Sequence, residues 1–405
     1  MENLLDRVCG MDVHKETVVV CIMGEGIKKE IRTFSTMTND LIRLKQWLKE
    51  NMITHVAMES TGVYWKPIYN ILEDSFEIFL VNARHIKHVP GRKTDMKDCE
   101  WICKLLRNGL LKGSFIPPKD IRELRDLTRY KRKLIQTISA EKNRIQKILE
   151  DANIKISSVV SDTFGATGYG IINAIIEGTL SPEDLSTHAK GRLKNKKEEL
   201  KEALTGNISQ HHIFMIKASL DHIHSVEKII NELDKEIDEK LEPYQREYEL
   251  LKTIPGVKDE AAECIIAEIG VDMDRFPDET HLASWAGLAP GNNESAGKKK
   301  ICKTTYGDKF LETVLTQCAW AATRSKNTYL NSKYYSLLVR RGKKKALIAI
   351  AHKIIIACYF ILKHKVQYKD LGPSYLNKKR INKKVRHHLK QLEGLGYIVT
   401  LEQAA

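Results

Sequence analysis

Four carboxylates are spaced so that together they could hold metal ions. Asp12 lies in GMDVHK, toward the end of a predicted first strand, and Glu59 closes a predicted fourth strand in AMEST. Asp95 and Asp98 are three apart in RKTDMKDCE, so at the start of a helix both point to one side. Two strand ends and one helix start can bring all four to the same edge of a sheet. Gathering them is costly unless a cation offsets the charge. Carboxylate oxygens suit Mg²⁺ or Mn²⁺. Two such ions can activate an attacking oxygen and stabilise the leaving one at a phosphodiester. Each piece alone is weak, because an Asp at a strand end is usually a turn or cap residue and DxxD can be N-capping. Their joint occurrence in a β-β-β-α-β-α-β-α order is much less expected by chance. His14, two residues past Asp12, points to the same side if the strand continues, and at most supports that carboxylate.

The sequence around these residues alternates strand and helix patterns. RVCGMDVH, ETVVVCIMG and KKEIRTFST are three short β-rich runs joined by turn-like breaks such as Gly24-Glu25-Gly26. A helix is predicted over 39–51, with Leu41, Leu44, Trp47 and Leu48 on one face. THVAMES is a fourth strand, and VYWKPIYNILED is a helix with Pro67 in its first turn. FEIFLVN is a fifth strand, and 95–108 is a last helix. The order β-β-β-α-β-α-β-α predicts, for residues 1–116, an α/β domain with a mixed sheet and helices on both faces.

Pro117-Pro118 closes that domain, and the rest reads as all-α. Over 121–152, Leu124, Leu127, Leu134, Ile138, Ile145 and Ile148 form a heptad seam, with Lys131 and Glu141 at two of its positions. A second seam runs through Leu220, Ile223, Ile230, Leu233, Ile237 and Leu241. Residues 117–245 therefore form a coiled-coil helical arm with an insert at about 153–215. The pair of seams suits an antiparallel arm or an oligomer stalk, and a plain bundle packed on its own domain fits nearly as well. Residues 246–366 form a small helical module that opens with LLKTIPGVKDEAAECIIAEIG. The opening is like a helix-hairpin-helix, in which Gly256 would expose backbone N–H groups to a DNA phosphate. A simple αα turn would use Gly256 equally well. The stretch 346–362 is the most apolar, but is short for a membrane span and contains His352 and Lys353, so it reads as a core helix. The tail, 367–405, carries Lys378, Lys379, Arg380, Lys383, Lys384, Arg386, His387, His388 and Lys390. It is a solvated charge run or a nucleic-acid-binding arm.

Lys and Arg number 66 against 52 Asp and Glu, a formal +14, and hydrophobic residues make up 42% of the 405. Sizeable cores are expected, and wholesale disorder is not. The charge favours a polyanionic partner, since neutralised phosphates release counterions on binding. The eight cysteines are scattered, mostly in apolar runs, as in a reduced cytosolic protein. Cys99 and Cys103 are four apart, but no second Cys/His pair follows at zinc-finger spacing. MENLLDRVCGMDVHK lacks the pattern of a signal peptide. A cytoplasmic protein with no membrane partner is expected.

GMDVHK, AMESTGVYW and VNARHIKHVPGRKTDMKDCEWICKLLRNGLL together resemble the RuvC-type, ribonuclease-H-like domain of DEDD insertion-sequence transposases, the insertion-sequence one-ten family. The resemblance resumes with TIPGVKDEAAECIIAEIG, FPDETHLASWAGLAPGNNESAGKKK and RRGKKKALIAIAHKIIIACYFIL, and leaves out only 153–215 and the tail. It implies Mg²⁺ (or Mn²⁺) held by Asp12, Glu59, Asp95 and Asp98. It also implies a nucleophilic serine in PGNNESAGKKK, which falls on Ser295. A serine can hold a strand as a phosphoserine ester and conserve the bond energy for rejoining. Lys298, Lys299, Lys300 and Lys303 could then position the phosphate. Arg340, Arg341, Lys343 and Lys344 are further candidates for nucleic-acid contact. Ser284 and Ser325 are rival serines in the same module. The resemblance implies DNA ends and a target as partners, a structured bridge RNA as guide, a dimer or tetramer, and a bacterial or archaeal cytoplasm near the nucleoid.

Two other functions are compatible with parts of the pattern. A resolvase-like, Mg-dependent nuclease needs only the acidic tetrad, with metal-activated water as nucleophile. A basic nucleic-acid-binding scaffold needs only the hairpin and tail. The acidic set argues against the scaffold, because carboxylates repel DNA.

Overall fold

The structure is a computed structural model that describes residues 4–60, 62–82, 98–291, 294–295, 298–299, 304–396 and 398–399; 294, 295, 298, 299, 377–380 and 382–384 are described by backbone alone. The chain divides into two compact units, Met1–Ile116 and Pro117–Ala405.

The first unit is built on five strands: β1 (Arg7–Val13), β2 (Thr17–Gly24), β3 (Ile27–Ser35), β4 (His55–Glu59) and β5 (Glu77–Val81). Their order in the sheet is β3-β2-β1-β4-β5. The first three strands pair antiparallel, while β1–β4 and β4–β5 pair parallel. Each parallel crossover contains a helix, as a parallel connection requires: α1 (Thr38–Glu50) before β4 and α2 (Trp65–Leu72) before β5. Pro67 sits in the first turn of α2, where its missing N–H has no intrahelical role. A last helix, α3 (Asp98–Arg107), covers the sheet and completes the α/β arrangement that the sequence predicts.

Side-chain alternation gives the sheet two dry faces. Cys9, Met11, Val13, Val56 and Met58 pack with Leu41, Leu44 and Leu48 of α1 and Ile68 and Leu72 of α2. Val8, Cys21, Ala57 and Val81 pack on the other face with Cys99, Ile102, Cys103 and Leu106 of α3. Gly10 lets α3 come this close. A Cβ there would lie 2.3 Å from the carbonyl oxygen of Cys99 and 2.4 Å from the nitrogen of Cys103.

The second unit is helical. α4 (Lys119–Asp151, 33 residues) and α9 (Gln210–Leu241, 32 residues) pack together along their length. Ion pairs between them run in opposite senses along the two helices: Glu123–Lys240 at 2.7 Å, Lys131–Asp234 at 2.5 Å, Glu141–His222 at 3.6 Å and Asp151–His212 at 3.0 Å. The helices are therefore antiparallel, and the two heptad seams cover each other within one chain. The seams lend no support to an oligomer stalk. The two polar seam residues are paired, since Lys131 also reaches Glu263 and Glu141 also takes Arg144.

The insert folds as four short helices: α5 (Ile156–Val159), α6 (Ala166–Ile176), α7 (Pro182–Ser186) and α8 (Lys197–Ala203). Ile154, Ile171, Ile172, Ile175, Leu185 and Leu200 bury against Ile145 and Leu149 of α4 and Ile216, Leu220 and Ile223 of α9. The insert is thus a folded cap that shares one core with the end of the arm.

After α9 come α10 (Gln245–Lys252), α11 (Asp259–Ile269) and α12 (Glu279–Trp285). A two-residue pair, β6 (Glu294–Ser295) with β7 (Lys298–Lys299), precedes α13 (Lys309–Ala322), α14 (Tyr329–Arg341) and α15 (Lys343–His364). α15 is a full 22 residues and by length and composition could cross a membrane, so the sequence-based judgement that this stretch is too short is corrected. Its Ala346, Ile350, Ala351, Ile354, Ile355, Cys358 and Leu362 are nevertheless buried, and it packs on α10, α12, α13 and α14 as a core helix. The basic tail is itself helical, as α16 (Tyr375–Gly394), with Tyr375 edge-on to Tyr329 of α14 at 5.6 Å.

Candidate functional site

Met11 of β1 and Met58 of β4 are partners in the parallel register. Asp12 and Glu59 each stand one residue further on. They therefore leave neighbouring strands on the same side of the sheet. Met11 and Met58 point into the core beneath α1 and α2. Alternation then turns Asp12 and Glu59 to the opposite face, which α3 covers. Asp98 is the first residue of α3, immediately before Cys99, whose carbonyl oxygen presses on Gly10. Gly10 lies two residues before Asp12 on β1. One face and one edge of the sheet thus receive Asp12, Glu59 and the start of the helix that bears Asp98.

Asp12 is partly buried, with its side chain 22% exposed, and its Oδ2 lies 3.2 Å from Nε2 of His14. The strand ends at Val13, and the chain turns back with His14 N–H donating to the Thr17 carbonyl at 2.9 Å. His14 therefore reaches Asp12 from the turn, as a support for that carboxylate. Asp95 lies outside the described residues. Among the described residues, no three acidic, histidine or cysteine side chains stand close enough to hold one ion in common. Asp12, Glu59 and Asp98 share a face without closing into a ligand sphere. Their chemistry still fits a hard divalent cation, because Asp12, Glu59 and Asp98 each offer carboxylate oxygens on the same side of one sheet.

Among the described cysteines, Cys9, Cys21, Cys99, Cys103, Cys318 and Cys358 are buried. Cys99 and Cys103 face the sheet, and the Cys103 thiol donates to the carbonyl of Val8 at 3.5 Å. Burial pushes the Cys9 thiol well above its ordinary range, and neighbouring Cys21 and Cys99 add to the effect. Such thiols are poor nucleophiles.

Ser295 lies on β6, with Lys298 of β7 as its antiparallel partner; Glu294 partners Lys299. The base of this hairpin is held closely. Pro290 bridges Thr304, and Thr305 N–H donates to the Ala289 carbonyl at 3.0 Å. The Thr305 hydroxyl donates to the Ser284 carbonyl at 3.1 Å, and Asp308 N–H to the Trp285 carbonyl at 3.1 Å. The rival serines are placed differently: Ser284 is inside α12, and Ser325 is in the turn after α13. Of the lysines near Ser295, Lys300 and Lys303 lie outside the described residues.

Gly256 sits in the turn between α10 and α11 with φ +90°. A Cβ on it would lie 2.3 Å from the carbonyl oxygen of Cys318 and 2.7 Å from the nitrogen of Ala322. Close packing on α13 thus gives this glycine a structural reason of its own. Arg340 and Arg341 end α14, and Lys343 and Lys344 begin α15 across Gly342; all four are exposed. They form a basic corner on the second unit.

Sequence reasoning missed a buried charge network at the root of the arm. Glu268, at the end of α11, is wholly buried. Arg129 of α4 donates to both its oxygens, at 2.7 and 2.8 Å, and Arg125 stands 3.1 Å from Oε2. Burial raises the pKa of Glu268 against the opposing pull of the two arginines. Arg129 also reaches Asp308 at 2.6 Å. The partners are more than 130 residues apart in the chain, so no local spacing could have signalled them.

Two family models match the chain. A DEDD-type IS110 transposase model matches residues 9–154, and the model described as Transposase IS116/IS110/IS902 family matches residues 248–336. Together they cover more than half of the sequence and contain Asp12, Glu59, Asp95, Asp98 and Ser295. No curated protein matches it.

Proposed function

Since this chain belongs to the IS110 family of transposases, and so is a DNA-processing enzyme, we propose that it cuts, exchanges and rejoins DNA strands through Ser295 with the help of an acidic metal site. In this reading the Ser295 Oγ attacks a phosphodiester. A bond forms between Oγ and phosphorus as the bond to one sugar oxygen breaks, and the departing oxygen takes up a proton. The strand is held as a phosphoserine ester until a sugar hydroxyl of the new partner attacks and releases the serine. Lys298, directly opposite Ser295 in the hairpin, offsets phosphate charge, with Lys299, Lys300 and Lys303 beside it in sequence. Asp12, Glu59, Asp95 and Asp98 would hold Mg²⁺ (or Mn²⁺), which when bound supplies charge stabilisation at the phosphate. His14 holds the Asp12 carboxylate in place. The basic corner at Arg340, Arg341, Lys343 and Lys344 contacts the nucleic-acid backbone.

The observation that most supports this reading is the register of β1 on β4. It turns Asp12 and Glu59 to the face covered by the helix that Asp98 begins. The partners we propose are the element's DNA ends, a target and a structured guide RNA. We further propose that the chain works as a dimer or tetramer in the cytoplasm, with the acidic unit and the serine module of different subunits making one site.

The test is incubation of end-labelled element DNA with the protein, the flanking non-coding RNA and Mg²⁺, resolved by denaturing electrophoresis. A protein-linked DNA band lost in both Ser295→Ala and Asp12→Ala is the expected result. Nicked DNA without an adduct, lost only in Asp12→Ala, would replace this mechanism with hydrolysis by water.

A further inference from the structure

We propose that Arg129 is a positioning residue for the serine hairpin, and that it fixes the hairpin's orientation by tying Asp308 at the hairpin's base to the coiled-coil arm. This inference rests on Ser295 being the nucleophile. The segment that carries Ser295 leaves the module at Ala289 and returns at Thr304. Its base is rigid, because Gly287 and Gly307 pack backbone to backbone; a Cβ on Gly307 would lie 2.1 Å from the nitrogen of Gly287. A rigid base moves as one body, so the hairpin's direction follows what holds that base: Ser284 and Trp285 of α12 on one side and the side-chain partners of Asp308 on the other.

Asp308 has two partners, one for each oxygen. Oδ1 accepts from the N–H of Leu311 at 2.8 Å and so caps α13. Oδ2 accepts from Arg129 at 2.6 Å. The same guanidinium makes a two-pronged contact with Glu268 at the end of α11, and lies 5.7 Å from the ring centre of Phe310. Arg125, one turn earlier on α4, donates to the carbonyls of Ala267 and Glu268. One side chain of α4 therefore joins the end of α11 to the start of α13, next to the returning strand of the hairpin. Apolar packing would hold three helices together at least as well, since buried ion pairs rarely add net stability. Fixed direction is what this arrangement provides in addition. The planar fork of Arg129 sets the angle between its two carboxylates, and a lysine could not.

Asp308→Asn tests this in the full-length protein. Asn keeps an oxygen to cap α13 but loses the charge that holds Arg129. With element-end duplex, flanking RNA and Mg²⁺, the rate constant of adduct formation at saturating duplex should fall about ten- to a hundredfold, as misplacement of a reacting group does. The duplex concentration at half-maximal rate and the thermal midpoint should stay near wild type. Arg129→Lys, which keeps the charge but not the fork, should be slowed as Arg129→Gln is. A wild-type rate in Asp308→Asn would overturn the proposal. So would a slower rate accompanied by an equal loss of duplex affinity or of thermal stability. Adduct formation by Ser295→Ala would instead overturn the assignment of the nucleophile.

Discussion

Gly10 leaves no room for a methyl group between β1 and α3. The backbone of Cys99 and Cys103 fills the space a Cβ would take. Gly10→Ala should cost about 1–3 kcal/mol by overpacking, and should push Asp98 away from Asp12. We expect a lower thermal midpoint together with weaker metal-dependent activity, checked by calorimetry and the adduct assay; an unchanged midpoint would contradict the packing. Glu268 predicts a second effect. With its charge removed in Glu268→Gln, Arg125 and Arg129 lose their buried partner, and denaturant unfolding should show a lower stability than wild type. At this scale the sequence was only partly readable. Asp12 and Glu59 announce themselves because each ends a β-rich run. Ser295 does not, because NNESAGKKK has the composition of any polar loop, and only the family resemblance singles it out. Arg129 and Glu268 were invisible, because a buried ion pair is made by tertiary contact and leaves no local pattern.

The elements were more legible. β-rich runs bounded by turn-like breaks located β1 to β5, and the 3.6-residue period of Leu41, Leu44, Trp47 and Leu48 located α1, which has one face to bury. The seams of α4 and α9 were also visible, but heptads alone do not say whether the partner helix lies in the same chain. The order of the ion pairs from Glu123–Lys240 to Asp151–His212 settles that. The cap escaped prediction because its short helices gain stability only from a shared core. That origin makes a prediction. Ile171→Asp puts an unpaired charge among Ile172, Ile175 and Leu200, and burial of such a charge is prohibitive. Limited proteolysis should then cut within 153–209 and spare the α10–α11 turn, where Gly256 packs on α13. Equal cutting in both places would mean that the cap and the helical module unfold together.

At the scale of the whole molecule, the chain keeps its acidic unit and its serine module in separate compact units, Met1–Ile116 and Pro117–Ala405. The boundary lies at Pro117-Pro118, where the sequence shifts from alternating strands and helices to charged helix. The proposed chemistry draws on both units, so neither should suffice alone. Chelation with EDTA should abolish adduct formation, and either Mg²⁺ or Mn²⁺ should restore it, since carboxylates accept both. Adduct formation that persists in EDTA would separate Ser295 from the acidic residues. The most direct test of the account is to trap the protein–DNA complex, digest it with nuclease and protease, and find by mass spectrometry which peptide carries a nucleotide. The account predicts a phosphodiester-linked nucleotide on Ser295. A nucleotide on Ser284 or Ser325, or on no serine at all, would contradict it.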